Sequence, residues 1–504
     1  MRERPMAVAR TAGTGLLWLG GAALFFAVLA TSVSEGAGSL ALMLMLASVA
    51  GVVVLLRPEW GVLTLTSTFF LSYPAALQGA GKLTINNVLG LVLAAVLLVR
   101  IVVDRRIDFL STRQVRWLLV IGFVVLVNHV FVETAPPMIR LEHLDLTDER
   151  FHDLISKLAY VTFIVAFIRK GWQVTVLASA IVFFVLITAP NAIWNAVSLW
   201  NQPLLRDVET IRAAADVGIV AARNANRLAF VSCIGIALIG FAMREFPSRL
   251  LRLLGLVAIP LLVVTVFLSA SRSGLLNLLL LAGVFVAGLR IRLRSFLAGS
   301  LVAAAGLALV LSLVPPDVVS TVLGGDTVIQ KRIDDVARQT SIPQAYLQRI
   351  TNFFLPQHAD TGVAESTQSR LELLRIAWRM VLDHPIAGVG FGDYRWVSIL
   401  EYRNPRESAL HNSYMLALVE GGLLLLIPYL MLFRVTWKDL GVVRERAAAR
   451  PDLRLGWLAD GLRMTLVMFL VFSVFADVWH EVFLFLIVGL AAVLVRLHAE
   501  GEPA

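Results

Sequence analysis

The chain contains, at residues 409–433, the stretch ALHNSYMLALVEGGLLLLIPYLMLF. The stretch is long and apolar enough to cross a bilayer as a helix, since such a helix needs about 20 mostly apolar residues. It nevertheless begins with His411, Asn412 and Tyr414, and it carries Glu420 inside the apolar run. Because ionisable groups are costly in a membrane and are often functional there, these residues require a reason beyond spanning the bilayer.

Apolar runs of this kind recur along the whole chain. Of its 504 residues, 58% are hydrophobic and 16% are charged, against roughly 25% charged in an ordinary soluble domain. We predict an all-α, polytopic integral membrane protein with about 14 transmembrane helices (about 12 to 14) and one large, partly helical extracytoplasmic, or periplasmic, loop. The candidate spans lie at 15–31, 38–56, 61–77, 85–103, 117–132, 153–168, 174–198, 224–242, 250–269, 274–289, 296–314, 409–433, 460–477 and 481–496.

The net charge of +9 comes from basic residues spread over alternate short loops and not from one patch. The positive-inside rule places these loops, and with them both termini, in the cytoplasm. The charge therefore indicates membrane topology and no nucleic-acid partner. The only cysteine, Cys233, lies within a predicted span, which excludes a disulfide framework and predicts a small packing residue.

The main interruption of the apolar pattern is the outer loop at residues 314–408. The sequence of part of this loop predicts an amphipathic helix. Its apolar residues recur at helical spacing on one face, and its charged residues recur on a solvent-exposed face, here called the wet face. Arg370 falls within the apolar arc, between Ala377 and Val381. The apolar face comprises Leu371, Leu374, Trp378, Val381 and Leu382, and the wet face comprises Glu372, Arg375, Arg379 and Asp383.

The loop continues with HPIAGVGFGDYRW, which has glycines at 388, 390 and 392. The spacing is superficially that of a nucleotide-binding fingerprint, but no strand precedes it and no βαβ unit surrounds it. We expect these glycines to allow tight turns and a close approach to a ligand or a neighbouring helix.

Three residues on the predicted outer face are candidates for chemistry: Arg272, Arg370 and His411. Each also has a purely structural interpretation. Arg272 could be an arginine that snorkels to the membrane interface, Arg370 an interfacial anchor and His411 a residue at a helix start. Taken together they suggest a phosphate-linked donor, because a guanidinium group can grip phosphate oxygens in a bidentate manner and a histidine can accept a proton from a hydroxyl. Glu420 lies roughly 13 Å deeper along the same helix, so it is no direct partner of His411, and a packing role and a functional role both remain open.

Four short motifs then follow one another in the order of a known family. RNANRLAF contains Asn226, SASRSG contains Arg272, SRLELLRIAWRMVLDHPIAGVGFGDY begins near Arg370, and LHNSYMLALVEGGLL contains His411. In this order, over roughly residues 224–433, they resemble the O-antigen ligase and polymerase superfamily of membrane glycosyltransferases.

The resemblance implies a donor glycan linked to polyprenyl (undecaprenyl) diphosphate and a sugar hydroxyl acceptor, on a glycan or a lipid-linked sugar. It makes His411 the candidate base and makes Arg272 and Arg370 the diphosphate ligands, with Asn226, Asn412 and Tyr414 in support. The implied transfer is inverting and needs no metal and no cofactor. The chain has more predicted spans and a longer outer loop than a typical ligase of the family, which favours a polymerase of surface polysaccharide over a lipopolysaccharide ligase.

The resulting organisation has three parts: N-terminal transmembrane helices at 1–223, a ligase-like catalytic region at 224–435 that includes the outer loop, and a basic cytoplasmic loop with C-terminal helices at 436–504. We expect the protein in a bacterial inner membrane with its site facing outward, and the lipid bilayer and a chain-length regulator or flippase as partners. Two other classes remain open. One is a bicarbonate-carrier-like transporter, which should show midplane charges, inverted repeats and broken helices; the other is a non-catalytic partner in polysaccharide assembly.

Overall fold

The computed structural model of the protein describes residues 51–70, 85–104, 108–131, 137–200, 225–245, 249–269, 271–289, 361–404, 410–449 and 455–500. Within these ranges every regular element is a helix, as predicted. The predicted spans at 15–31 and 296–314, most of the span at 38–56, and residues 314–360 of the outer loop lie outside the described residues. For Arg272 and Arg370 the structure describes the backbone only.

The elements are named here in chain order, and a short 3₁₀ helix, Asp108–Ser111, precedes α3. They are α1 (Pro58–Ser67), α2 (Ile85–Asp104), α3 (Arg113–Phe131), α4 (Pro137–Phe167), α5 (Gly171–Trp200), α6 (Ala225–Glu245), α7 (Arg249–Leu268), α8 (Arg272–Leu289), α9 (Thr361–Asp383), α10 (Tyr394–Leu400), α11 (Ser413–Ala449), α12 (Gly456–Phe475) and α13 (Val482–Glu500).

In the described part of the chain, 7 helices are long and apolar enough to cross a membrane: α2, α3, α5, α6, α11, α12 and α13. Helices α7 and α8 contain shorter apolar segments, Arg252–Leu268 and Ser273–Phe285. The prediction of a multi-pass membrane protein is confirmed at this level, whereas the count of about 14 spans is not.

Two predicted boundaries differ from the structure. The run at 61–77 does not form one continuous span, because α1 ends at Ser67 and a turn follows. The run at 153–168 is the second half of α4, which begins at Pro137, so most of residues 133–152, which fall between two predicted spans, are helical. Hydropathy detects the apolar core of such a helix but not its polar extension.

The chain divides into two compact units, residues 1–65 with 76–106, and residues 66–75 with 107–504. In the first unit, Val62, Leu65, Leu93 and Val96 are buried. The second unit contains all of the candidate site residues.

The core of the second unit is built around α6, which packs against α5, α7, α8 and α12. The Phe230 ring stacks on Phe472, with centroids 4.8 Å apart, and meets Phe469 and Phe483 edge-on. Cys233 is fully buried on the same helix, which confirms its predicted packing role. Helix α13 is buried along almost its whole length, in line with its uninterrupted apolar run at 482–495.

Polar contacts define two opposite ends of this unit. At one end, here called the Arg496 end, Gln114 and Arg113 contact Asp439, and the Arg496 guanidinium donates to the carbonyls of Val165 and Ile168. The other, here called the His411 end, contains the starts of α6, α8, α11 and α13 and the ends of α3 and α12. Contacts that define it join Asn412 to Val474, and Arg227 to Glu481.

Helix α11 is broken at Gly422, where φ is 61° and ψ is −159°. The break leaves backbone groups without partners in the helix, and the loop at residues 385–390 supplies them. The amides of Val389 and Gly390 donate to the carbonyls of Val419 and Glu420, at 2.8 and 3.2 Å. On the other side of the break, the amides of Leu423 and Leu424 donate to the carbonyls of Pro385 and Ile386, at 2.9 and 3.1 Å.

This close insertion explains the glycines of the loop. Gly388, Gly390 and Gly392 have φ values of 71°, 118° and 86°, a region that favours glycine. A Cβ atom at Gly388 would lie 2.5 Å from the Val419 carbonyl oxygen. The predicted close approach to a neighbouring helix is confirmed. Asn128 at the end of α3 fixes the same loop, because its amide donates to the Ala387 carbonyl at 2.5 Å and accepts from the Phe391 amide at 2.6 Å.

The residues of α9 lie in the predicted helical register. The helix does not, however, have the single apolar face opposite a charged face that the sequence predicts. The wet face is confirmed, since Glu372, Arg375, Arg379 and Asp383 are exposed. The predicted single apolar face is wrong: Leu373, Ala377, Met380 and Val381 are buried, whereas Trp378 and Leu382 are exposed. The helix therefore has a protein-packed sector, an exposed apolar sector and an exposed charged sector, because its packing partner, α11, covers only part of the apolar arc.

Candidate functional site

His411 lies two residues before the start of α11, at the His411 end of the second unit, and its side chain is exposed. Its backbone φ is 54°, in the left-handed region that non-glycine residues seldom adopt and that occurs often at functional positions. The chain thus turns sharply at the residue predicted to act as the base.

The residues after His411 hold this turn in place. The Asn412 side chain accepts from the Met415 amide at 2.9 Å, as a helix cap does, and donates to the Val474 carbonyl at 3.3 Å. The Ser413 hydroxyl donates to Ala476 at 2.7 Å and accepts from the Val478 amide at 2.8 Å. The Tyr414 hydroxyl donates to the Leu470 carbonyl at 2.8 Å. Asn412 and Tyr414 thus join the start of α11 to α12, and Ser413 joins it to the segment after α12.

Arg272 is the first residue of α8, directly after a buried serine cap. The Ser271 hydroxyl accepts from the Gly274 amide at 3.1 Å and lies 3.1 Å from the Ser273 hydroxyl. A cation at a helix start is opposed by the positive end of the helix dipole. The charge of Arg272 therefore does not stabilise the start of α8.

The start of α8 lies against α6 near its own start. A Cβ atom at Gly274 would lie 2.5 Å from the Ala229 Cβ, so the two helices approach very closely there. Asn226, half-buried, lies one turn before Ala229 in α6. The backbones of Asn226, Arg272 and His411 therefore belong to the same end of the unit.

Arg370 lies on α9, whose register places it in line with Ala377 and Val381. Both of those residues are buried, and α9 packs against α11. Position 370 is thus on the protein-packed arc of α9 and not on its charged face. The predicted convergence of Arg370 with Arg272 and His411 on one cavity stays a prediction.

Sequence reasoning missed two polar anchors near this end. The first is the ion pair of Arg227, next to Asn226, with Glu481 at the start of α13. The Glu481 side chain is buried, whereas that of Arg227 is partly exposed. The second is Asn128, which is buried and binds the loop at 385–390. A polar residue at the edge of a predicted span was the available signal in both cases, but only the fold identifies the partner.

Glu420 is buried directly before the helix break. Together with Asp477, after α12, it acts on Tyr394: burial, assisted by the charges of Asp477 and Glu420 and opposed by that of Arg395, raises the pKa of Tyr394 to about 12. Among the described residues, no three or more histidine, cysteine, aspartate or glutamate side chains come together as a metal site would require.

The sequence of this region can be compared with known protein families. Residues 256–430 match the family model described as O-antigen ligase. The resemblance to the O-antigen ligase superfamily, predicted from short motifs, is confirmed by this match. The matched region contains Arg272, Arg370, His411, Asn412 and Tyr414. Among curated proteins, no relative matches the chain.

Proposed function

We propose that the protein is a membrane glycosyltransferase of surface polysaccharide assembly, which moves a glycan from a polyprenyl-diphosphate carrier to a sugar hydroxyl. The observation that carries the proposal is the O-antigen ligase match at residues 256–430, which covers all three candidate site residues. The residue types suit the two parts of this reaction. The two arginines can bind a diphosphate, and the histidine can remove a proton from a hydroxyl.

The proposed step is a substitution at the anomeric carbon. The acceptor oxygen forms a bond to this carbon as the bond to the diphosphate oxygen breaks. The hydroxyl proton passes to His411, and polyprenyl diphosphate leaves with the electron pair. Attack from the face opposite the leaving group inverts the anomeric centre. Arg272 and Arg370 would stabilise the charge that develops on the diphosphate, so the proposal requires no metal and no cofactor.

The proposed orientation places the His411 end outside the cytoplasm and the Arg496 end inside. Basic residues near the latter end support this orientation, including Arg113, Arg169, Lys170, Arg444 and Arg446, as the positive-inside rule requires. In a bacterial inner membrane, the site would then face the side where glycans are joined. A chain-length regulator or flippase is the expected protein partner.

The break in α11 beside buried Glu420 is the observation that favours a transporter, because broken helices and intramembrane carboxylates mark ion pathways. Against this alternative, the backbone groups at the break bond to residues 385–390. In a transporter, unwound backbone of this kind would coordinate an ion.

A donor assay with the purified protein tests the proposal. The protein is incubated with a polyprenyl-diphosphate oligosaccharide and an acceptor glycan, and released polyprenyl diphosphate and the extended product are measured. Release that depends on the acceptor and persists with a metal chelator is expected. Absence of release, together with bicarbonate flux in proteoliposomes, would support the transporter instead. Acceptance of a second lipid-linked oligosaccharide distinguishes a polymerase from a lipopolysaccharide ligase.

A further inference from the structure

The exposed apolar sector of α9 is unusual for a segment that the sequence places in an outer loop. Trp378 is 51% exposed and Leu382 is 63% exposed. Three residues beyond the end of the helix, Ile386 is 64% exposed. An apolar strip of this kind, next to a charged sector, marks an interaction surface.

The strip continues onto a membrane-spanning helix. The Ile386 carbonyl accepts from the Leu424 amide at 3.1 Å, which places Ile386 beside α11. On α11, Leu423, Leu424 and Ile427 are themselves about half exposed, at 45%, 51% and 54%. They lie in a candidate membrane span, where exposed apolar side chains suit contact with lipid. The apolar surface thus passes from the exposed side of α11 over Ile386 to α9.

We infer that Trp378, Leu382 and Ile386 form a lipid-contact strip, and that α9 lies partly embedded in the membrane interface. The neighbouring sector with Arg375 and Arg379 then faces water, as in an interfacial amphipathic helix. Tryptophan suits this position because its ring is apolar and its indole N–H is polar. The inference is independent of the proposed function, because it concerns only where the helix lies.

Site-directed spin labelling tests this placement. Single cysteines replace Trp378, Leu382 or Ile386 in a Cys233→Ala background, and Arg375→Cys and Arg379→Cys provide matched controls on the same helix. The labelled proteins are reconstituted in phosphatidylethanolamine and phosphatidylglycerol vesicles, and collision rates with oxygen and with a water-soluble nickel chelate are compared. Because all five side chains are exposed, the substitutions should leave the fold intact.

At positions 378, 382 and 386, we expect the collision rate with oxygen to exceed the collision rate with the nickel chelate by several-fold. At positions 375 and 379, we expect the rate with the nickel chelate to be the higher of the two. A higher nickel rate at 382 and 386 would show a water-exposed strip and would overturn the inference. Low rates for both reagents would also overturn it. In that case spin–spin broadening would identify a second copy as the occupant, and its absence would identify another segment of the same chain.

Discussion

At the scale of single residues, His411 combines an exposed imidazole with a left-handed backbone. A non-glycine residue in this conformation costs roughly 1–2 kcal/mol, so the turn must be held by its surroundings. The contacts of Asn412, Ser413 and Tyr414 provide this support. A structural role and a catalytic role for His411 therefore make different predictions for different substitutions.

Asparagine adopts the left-handed conformation more readily than most residues but is no general base. We expect both His411→Asn and His411→Ala to lower turnover in the donor assay by roughly 10²- to 10⁴-fold, the usual scale for loss of a general base. Donor binding should change little, and expression of His411→Asn should equal that of the unmodified protein. Near-normal turnover of His411→Asn would mean that His411 only turns the chain.

Arg272→Lys separates the charge from the shape of the side chain. Lysine keeps the positive charge but loses the planar fork. We expect donor affinity and turnover to fall together, by roughly 10- to 100-fold, as for loss of a hydrogen bond to a charged group worth about 1.5–3 kcal/mol. Arg375→Ala, on the exposed face of α9, is the control and should be nearly silent. Equal activity of Arg272→Lys and the unmodified protein would argue for a snorkelling arginine.

At the scale of elements, the loop at 385–390 and the two halves of α11 form one hydrogen-bonded unit. Helix α3 joins this unit through Asn128. Because the start of α11 carries His411, disturbance of the loop should reach the site through the backbone. Glycine substitutions can test this coupling.

Gly388→Ala would place a Cβ atom 2.5 Å from the Val419 oxygen at a φ of 71°. We expect a loss of about 2–4 kcal/mol from backbone strain and broken hydrogen bonds, measured as a lower unfolding temperature in detergent, together with lower activity. Gly283→Ala on α8 is the matched control, because its Cβ atom would meet nothing within 4 Å. It should be neutral or slightly stabilising. Equal effects of the two substitutions would contradict the structural role of the loop.

At the scale of the whole molecule, the proposed orientation puts the two ends of the second unit on opposite sides of the membrane. We expect Asp326→Cys and Thr361→Cys, in a Cys233→Ala background, to react with a membrane-impermeant maleimide in intact cells. Arg446→Cys lies near the end of α11, at the Arg496 end of the unit, and should react only after permeabilisation. Labelling of position 361 from the cytoplasmic side alone would reverse the orientation and remove the proposed chemistry from the outer face.

The sequence by itself determined the membrane class, the helical character, most of the described spans and the wet face of α9. These features depend on local composition and on the 3.6-residue period, which need no knowledge of distant partners. The family resemblance was also readable from short motifs, since their residue types and order lie along the chain.

Only the tertiary structure decided how those pieces meet. The break at Gly422 is filled by a loop more than thirty residues earlier in the chain, Arg227 pairs with Glu481, and Asn128 binds Ala387 and Phe391. Likewise, one part of the apolar arc of α9 is buried against the protein and another part is exposed, because α11 covers only part of the arc. In each case the partner of a buried polar group or an apolar face is far away in sequence, so the local pattern shows the need for a partner without identifying it.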